Sequence, residues 1–559
     1  MKRFLVVLVL VLALVSVFGQ AFERNKTLYW GGALWSPPSN WNPFTPWNAV
    51  AGTIGLVYEP LFLYDPLNDK FEPWLAEKGE WVSDNEYVLT LRKGLRWQDG
   101  VPLTADDVVF TFEIAKKYTG ISYSPVWNWL DRIERVDERT LKFVFSDPRY
   151  QEWKQMLINT PIVPKHIWEN KTEEEVLQAA NENPVGSGPY YVESWADDRC
   201  VFKKNENWWG IRELGYNPKP ERIVELRVLS NNVAVGMLMK GELDWSNFFL
   251  PGVPVLKKAY GIVTWYENAP YMLPANTAGV FVNVNKYPLS IPEFRRAMAY
   301  AINPEKIVTR AYENMVTAAN PAGILPLPGY MKYYPKEVVD KYGFKYDPEM
   351  AKKILDELGF KDVNKDGFRE DPNGKPFKLT IECPYGWTDW MVSIQSIAED
   401  LVKVGINVEP KYPDYSKYAD DLYGGKFDLI LNNFTTGVSA TIWSYFNGVF
   451  YPDAVESEYS YSGNFGKYAN PEVETLLDEL NRSNDDAKIK EVVAKLSEIL
   501  LKDLPFIPLW YNGAWFQASE AVWTNWPTEK NPYAVPIGWN GWWQLTGIKT
   551  LFGIEPKSK

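Results

Sequence analysis

Apolar residues recur with two different periods along this chain, and the two periods alternate from one end to the other. Short runs rich in β-branched and aromatic residues predict strands. Between them, apolar residues three or four positions apart predict amphipathic helices, as in Pro348–Leu358, Pro471–Leu480 and Asp486–Leu501. This alternation predicts α/β lobes and not a β-sandwich or a helical bundle. The predicted strands are Tyr87–Arg92, Thr140–Phe145, Tyr190–Ser194, Ile223–Leu229, Phe377–Cys383, Asn407–Tyr412, Phe427–Leu431 and Phe506–Trp510.

Residues 1–21 have the pattern of a secretory signal peptide. Lys2 and Arg3 precede the apolar run Phe4–Val17, and the segment 19–21 contains the small residues expected at a cleavage site. The run is shorter than the stretch of about 20 apolar residues that a membrane span needs. No cysteine follows it that could carry a lipid anchor, since the first cysteine is Cys200. We therefore expect an exported, soluble, periplasmic protein whose mature chain is not inserted in a membrane.

Chain length, net charge and the numbers of histidine and cysteine exclude several classes of protein. At 559 residues the chain can form two or three domains. Its formal net charge of −12 argues against nucleic acid or an anionic lipid surface as partner. The single histidine, His166, excludes a histidine-rich metal cage and leaves room for one catalytic triad at most. Cys200 and Cys383 predict two buried free thiols, with one disulfide bridge as the alternative.

Tryptophan and tyrosine are unusually abundant, with 26 and 33 copies. Because Trp is large and rarely buried completely, a chain with so many must expose some of them in part. We expect most of them in the core. The remainder are candidates for a binding surface.

The segment Gly94–Glu113, GLRWQDGVPLTADDVVFTFE, combines a strand end, a tight turn and a helix start. Asp99-Gly100 predicts the turn, and Thr104 with Asp107 predicts a capping box. One apolar helix face is formed by Val108, Val109, Phe112 and Ala115. Folding explains these residues, and we assign none of them a catalytic role. Their order, W-x-D-G-x-P-x-T-A-D-D-V-x-F-T, resembles the signature of the peptide/nickel/oligosaccharide-binding family of ABC-importer substrate-binding proteins.

Further blocks extend the resemblance over essentially the whole chain after residue 21. They are Asn183–Tyr190 (NPVGSGPY), Asn205–Gly210 (NENWWG), Ile223–Trp245 with its KGELDW ending, Phe281–Ala301 and Leu504–Tyr511 (LPFIPLWY). On these blocks the chain is identified as a member of extracellular solute-binding family 5. It resembles the oligosaccharide branch, which takes cellobiose- or mannobiose-type sugars.

The resemblance implies an α/β, periplasmic-binding-protein-like fold of type II, with two lobes, a hinge, and an extra domain inserted in the first lobe. The implied division is a discontinuous lobe I (22–66, 186–280 and 519–559), an inserted domain II (67–185) and a lobe III (281–518). It further implies a monomer that closes on its ligand by hinge bending and is then recognised by an ABC permease. No enzymatic step and no cofactor are expected.

The ligand class follows from residue types and resemblance together. A single histidine disfavours nickel. Peptide binders of this family hold the peptide amine with an acid in a D-Y-x-D-P-like segment, whereas Thr435–Asp453 has Ser444, Tyr445 and Asn447 there and its first acid at Asp453. Sugars fit better, because pyranose C–H faces stack on Trp and Tyr rings while amides and carboxylates bind the hydroxyls. We expect β-linked gluco- or manno-oligosaccharides, with oligopeptides on the same scaffold as the alternative.

Loops that follow predicted strands supply the candidate ligand residues, since such loops carry ligand contacts in open α/β sheets. One group lies within residues 35–42, near the start of the chain, in a region that borders the cleft in the family it resembles; a second follows Phe377–Cys383 and a third follows Phe427–Leu431. The candidates are Trp35, Trp41 and Asn42 in the first group, Trp387, Asp389 and Trp390 in the second, and Asn432, Asn433, Trp443 and Tyr445 in the third.

The run DVNKDGFRE, residues 362–370, matches the first half of an EF-hand calcium loop. Gly367 stands at the sharp turn, but Asn373 replaces the glutamate of the twelfth position. The candidate ligands are Asp362, Asn364, Asp366, Phe368 through its carbonyl, and Glu370. A structural calcium site and a metal-free Asp/Asn/Gly turn are equal alternatives at this stage.

A secreted glycoside hydrolase is the remaining alternative, because 71 acidic residues could include a pair that cleaves a glycosidic bond. The ordered family blocks argue against it, since they belong to a non-enzymatic scaffold.

Overall fold

The computed structural model describes residues 22–34, 36–46 and 48–558, without the side chain of Trp539. The predicted signal peptide and the candidate Trp35 lie outside the described residues. Among the helices of that described part, none has both the length and the apolar character to cross a membrane.

Two six-stranded sheets organise the chain. We call the parts built on them the first lobe and the second lobe. In the first sheet, Thr27–Gly31 runs parallel to both of its neighbours. The spatial order of this sheet is Gln517–Ala518, Trp245–Ser246, Thr27–Gly31, Arg222–Leu226, Arg199–Lys204 and Tyr190–Ala196. Three stretches of the chain that are far apart in sequence therefore meet in one sheet.

Like the first sheet, the second sheet contains both parallel and antiparallel strand pairs. Its order is Thr317–Ala318, Phe506–Ala514, Leu273–Val282, Leu429–Asn432, Leu379–Glu382 and Val408–Lys411. The last three strands are parallel to one another, so their carboxyl ends lie at one edge. The long pair Leu273–Val282 and Phe506–Ala514 is antiparallel, with Phe281 opposite Phe506.

The chain passes between the lobes before Leu273 and again between Ala514 and Gln517. The sequence-based division placed these passages later, after residues 280 and 518. The difference arises because Leu273–Val282 is one continuous strand hydrogen-bonded to the second sheet, whereas Gln517–Ala518 pairs with Trp245–Ser246 in the first.

A smaller antiparallel sheet is formed by residues that lie, in sequence, between the first and second chain segments of the first lobe. Its strands in spatial order are Ala76–Ser83, Glu86–Leu91, Thr140–Phe145 and Leu130–Arg135. We call it the insert sheet. Its apolar side chains share one hydrophobic core with most of the first lobe, while a second core holds the second lobe together with first-lobe residues between Val228 and Ile262. Two-stranded ladders complete the β-structure: Phe62–Asp65 with Lys70–Pro73, and Trp523–Thr524 with Glu555–Pro556.

Helices cover these sheets, and the three predicted ones are confirmed to within two residues at each end. The longer helices are Ala105–Lys117, Tyr150–Asn159, Asn231–Met239, Val253–Tyr260, Pro292–Ala301, Pro304–Tyr312, Pro348–Glu357, Thr388–Lys403, Tyr415–Gly424, Ile442–Phe450, Pro471–Asn481 and Asp486–Asp503. The shorter ones are Thr53–Leu56, Lys165–Trp168, Glu173–Gln178, Trp209–Glu213, Pro328–Met331, Lys336–Tyr342 and Thr550–Gly553.

Local expectations from the signature segment are confirmed. The Thr104 Oγ1 accepts a hydrogen bond from the Asp106 N–H at 3.3 Å, and the Asp107 carboxylate accepts one from the Thr104 N–H at 2.9 Å, which is a capping box. Cys200 and Cys383 are both buried free thiols, so the disulfide alternative is wrong.

A buried carboxylate, Glu59, lies where the insert sheet joins the first lobe. Its exposed fraction is 0%. One carboxylate oxygen accepts hydrogen bonds from the indole N–H groups of Trp74 at 2.9 Å and Trp208 at 3.1 Å. The other accepts from the Trp209 indole at 2.8 Å and from the Ser187 hydroxyl at 2.7 Å. Burial raises the pKa of Glu59 to about 8, and the four donors oppose that rise.

Three of the family blocks converge at this carboxylate. Ser187 belongs to NPVGSGPY, and Trp208 and Trp209 belong to NENWWG. Gln98, from the signature segment, donates through its amide to the Tyr190 carbonyl at 2.7 Å and so ties that segment to the same loop.

The glycines beside Ser187 are required by close backbone contact. A Cβ at Gly186 would lie 1.9 Å from the Val57 carbonyl oxygen, and one at Gly188 would lie 2.2 Å from that of Leu56. These three blocks therefore supply residues that build one joint.

Replacing Glu59 with Leu is expected to destabilise the protein by at least about 3 kcal/mol, because three buried indole N–H groups lose their acceptor. Denaturant unfolding followed by Trp fluorescence measures this. The matched control is Glu80→Leu, an exposed position on the insert sheet, where the loss of a surface ion pair costs about 1 kcal/mol or less. Equal stability of the two variants would show that the Glu59 hydrogen bonds do not hold the joint.

Candidate functional site

The three parallel strands of the second sheet end at one edge, and the segments after them bring aromatic rings together. The members of this group, the edge aromatics, are Trp387, Trp390, Tyr415 and Phe434. The Trp387 ring centroid lies 4.8 Å from that of Trp390, 5.9 Å from Tyr415 and 6.2 Å from Phe434. Tyr415 and Phe434 are 50% and 41% exposed, so the group presents an aromatic surface to solvent.

A carboxyl group, Asp389, accompanies these rings. It lies half-buried in the first turn of the helix Thr388–Lys403. Burial raises its pKa to about 6, although the backbone N–H groups of the helix start oppose the rise. Beside it lies the buried Tyr312 hydroxyl, whose interaction with the carboxylate also lowers the Asp389 pKa. Asp389 can therefore accept hydrogen bonds from a ligand at neutral pH.

A second aromatic group lies where the chain passes between the lobes. Its members are Phe249, Tyr312, Trp510 and Trp515. The rings of Tyr312 and Trp515 are stacked with centroids 6.0 Å apart, and Phe249 of the first lobe lies 5.2 Å from Trp515. Tyr312 and Trp510 are fully buried, so this second group supports the site from within the core, and the aromatic surface open to solvent is that of the edge aromatics beside Asp389. We take this surface as the candidate ligand site.

Two predicted ligand residues of the first lobe are used within the protein. Trp41 is fully buried, with its ring centroid 4.5 Å from that of Trp195. The Asn42 amide donates to the carbonyls of Val176 at 2.8 Å and Ala179 at 3.0 Å, which fixes its loop on the helix Glu173–Gln178. These contacts give Trp41 a packing role and Asn42 a loop-fixing role in place of the expected ligand contacts.

Two candidates of the second lobe are likewise structural. The Asn432 amide donates to the Tyr418 hydroxyl at 3.0 Å, and its oxygen accepts from the Phe434 N–H at 2.8 Å. The Tyr445 hydroxyl donates to the Ala322 carbonyl at 2.6 Å in the core. Both side chains are fully buried, which explains why neither faces a ligand.

The remaining candidates stay open. Asn433 is buried, and within the described residues its side chain makes no hydrogen bond. Trp443 is half-buried in the first turn of its helix. Sequence reasoning missed Tyr415 and Phe434, although the rule that selected Trp387 applied to them, since each follows a parallel strand.

The loop of residues 362–370 forms a network of turns. The Asp362 carboxylate accepts from the N–H groups of Asp366 and Gly367, both at 3.1 Å. The Glu370 carboxylate accepts from the Val363 N–H at 2.7 Å. In the described part of the chain, no three His, Cys, Asp or Glu side chains are grouped so as to hold a metal. Calcium binding by this loop stays a prediction.

The insert also contacts the second lobe, away from the connecting segments. The Gln151 amide donates to the Ser483 carbonyl at 2.7 Å. The Glu152 N–H donates to the Asn481 side-chain oxygen at 3.0 Å, and the Asn481 amide donates back to the Glu152 carboxylate at 3.1 Å. We call these the latch contacts. They join the helix Tyr150–Asn159 to the second lobe, so the lobes are in contact in this structure.

The two lobes and their paired connections are those of a solute-binding protein of an ABC importer. Residues 70–456 match the model of bacterial extracellular solute-binding proteins, family 5 (middle region), and the chain belongs to that family. Members of this family are binding proteins and not enzymes, which excludes the glycoside hydrolase alternative.

Solved structures and a more distant relative share the fold. A structure of the periplasmic oligopeptide-binding protein of an oligopeptide ABC transporter from Thermotoga maritima is 98% identical, covering 96% of this chain and 100% of that chain with a TM-score of 0.95. A mannohexaose-bound structure of that protein has the same identity and coverage and a TM-score of 0.91. The oligopeptide-binding protein AppA of Bacillus subtilis is 25% identical over 435 residues, which are 76% of this chain and 75% of its own length.

Proposed function

We propose that this protein is a periplasmic, monomeric solute-binding protein that captures β-linked manno- or gluco-oligosaccharides between its lobes and delivers them to an ABC permease. The observation that supports this most is the mannohexaose complex of the 98% identical Thermotoga protein. At that identity the side chains that line the site are nearly all shared. Residues 1–21 would serve as its signal peptide.

The chemistry of the candidate site fits this ligand class. The edge aromatics offer ring faces on which the C–H faces of a pyranose can stack. Asp389 and the free amide of Asn433 offer partners for hydroxyl groups, and a buried polar partner rejects sugars that lack the matching hydroxyl.

Oligopeptides are the second candidate, because AppA and the Thermotoga protein are both named for them. A peptide ligand needs a carboxylate for its amino terminus. The segment from Thr435 to Asn447 contains no acidic residue. The side chains of this segment instead bind one another, as in the 2.8 Å hydrogen bond between the Ser439 and Ser444 hydroxyls. This composition favours the neutral sugar.

Intrinsic fluorescence titration of the purified protein with β-1,4-mannobiose, cellobiose and a tripeptide tests the proposal. We expect a saturable change with a β-linked disaccharide and none with the peptide. Trp387→Ala is expected to weaken sugar binding about tenfold, because it removes the central stacking ring. The control is Trp195→Ala, a partly exposed ring of the first lobe. A response to the tripeptide alone would leave the fold assignment and reject the sugar.

Sugar affinity is expected to depend on pH through Asp389. The ionised carboxylate is the stronger acceptor of hydroxyl hydrogen bonds. Since its pKa is raised to about 6, affinity should fall as the pH drops from 7 to 5. Calorimetric titration at pH 5, 6 and 7 measures this, and Asp389→Asn should bind more weakly and lose the pH dependence. A variant with an unchanged pH profile would exclude Asp389 as the titrating group.

Closure of the lobes is expected to depend on the latch contacts. The double variant Gln151→Ala/Asn481→Ala removes three hydrogen bonds between the insert and the second lobe. Small-angle scattering of the ligand-free protein should therefore show a larger radius of gyration than in the wild type. Lys78→Ala/Lys336→Ala, at exposed sites away from the interface, is the control. An unchanged radius would mean that the latch contacts do not favour the closed form.

A further inference from the structure

We propose that a strip of tyrosines on the second lobe binds the outer units of a long β-linked oligosaccharide, beyond those held between the lobes. The members of the tyrosine strip are Tyr415, Tyr423, Tyr461 and Tyr459. The inference rests on the proposed function, since it extends the same ligand along the surface.

The strip starts at the candidate site and runs along the helix Tyr415–Gly424. Tyr415 stacks against Trp387 with an interplanar angle of 24°. Tyr415 is the first residue of the helix Tyr415–Gly424 and Tyr423 lies in its last turn. The Tyr423 and Tyr461 ring centroids are 4.8 Å apart, and Tyr461 and Tyr459 are stacked at 6.4 Å. One helix thus links the ring pair at the candidate site to the row of Tyr423, Tyr461 and Tyr459.

The two most open rings of the strip present apolar surface to solvent. Tyr461 is 71% exposed and Tyr415 is 50% exposed. Single exposed aromatic side chains are ordinary on protein surfaces. A row that begins at a ligand site is different, because each ring can stack on a successive unit of a chain that leaves that site.

Polar groups lie along the far end of the strip. The Tyr459 hydroxyl donates to the Asp420 carboxylate at 2.9 Å, and the Lys426 ammonium donates to both at 3.2 Å. These contacts hold the Tyr459 ring in place. The exposed Asp420 and Lys426 are also available as an acceptor and a donor for hydroxyl groups. Aromatic faces flanked by such groups have the composition that sugar binding requires.

A sugar chain is the occupant that the surroundings favour. Mannohexaose, the ligand of the 98% identical protein, has six units, and a ligand of that length can reach past a site built around a few rings. The strip also continues the surface to which the sugar is assigned, through the contact between Tyr415 and Trp387. Its rings combine apolar faces with hydroxyl edges, in keeping with a polar, uncharged polymer.

Calorimetric titration of wild type and Tyr461→Ala with β-1,4-mannobiose and mannohexaose tests the inference. We expect the variant to bind mannohexaose about tenfold more weakly and mannobiose as the wild type does. Tyr287→Ala is the matched control, because Tyr287 is a 52% exposed tyrosine of the same lobe that also stacks on a neighbouring ring. It should change neither affinity. Circular dichroism confirms that each variant is folded.

The outcomes separate this inference from the proposed function. Wild-type protein that binds neither sugar would overturn both. Wild-type protein that binds both sugars, with a variant that binds mannohexaose equally well, would overturn the strip alone. A variant that loses affinity for both sugars by the same factor would also overturn it, since the strip is assigned only to the outer units.

Discussion

The attachment of the insert to the first lobe depends on one buried carboxylate. Removing a carboxyl group from water is unfavourable in either protonation state unless hydrogen bonds replace its hydration. Glu59 has four such bonds, and their donors come from positions as far as 150 residues along the chain. The backbone takes part as well, because the Ile162 N–H donates to the Glu59 carbonyl at 3.0 Å just after the helix Tyr150–Asn159. The latch contacts are made by that helix, so the joint fixes the helix that meets the second lobe.

This joint also explains why the sequence blocks are recognisable. A block is recognisable when each of its positions needs a particular residue type for its own contact or backbone geometry. Ser187 must donate to Glu59, the flanking Gly186 and Gly188 must lack a Cβ, and Gln98 must bind the loop they form. No residue of the joint touches the candidate site. The blocks at this joint therefore identify the scaffold and are silent about the ligand.

Much of the fold could be predicted from local patterns, because helical periodicity, capping and strand composition are local properties. The lobe boundaries could not, since the membership of Leu273–Val282 in the second sheet is decided by pairing with a strand more than 200 residues away. The candidate site divides in the same way. Trp41 and Trp387 stand in similar sequence surroundings, each after a strand and close to polar residues, yet only Trp387 is part of the open aromatic surface.

Tertiary packing determines which of those two tryptophans is buried and which contributes to the open aromatic surface. Trp41 packs on Trp195 under a loop held by a helix more than 130 residues away, and no local pattern contains that contact. The high tryptophan content also does not identify the binding surface, because tertiary packing buries most of these side chains. Among the described residues, the twelve largest fully buried side chains are all tryptophan. Abundant tryptophan in this chain is therefore mainly core material, and the ligand surface is made largely from the tyrosine, phenylalanine and tryptophan that follow parallel strands.

The proposed arrangement separates two properties of a binding protein. Closure depends on sugar units between the lobes and on the latch contacts, which are made by polar groups of fixed geometry. The tyrosine strip lies outside that arrangement and adds contacts only when a chain is long enough to reach it. Affinity can then rise with chain length while the closed form stays the same. A permease that recognises the closed form would thus accept short and long chains alike, since the lobes meet each other through the same contacts in both complexes.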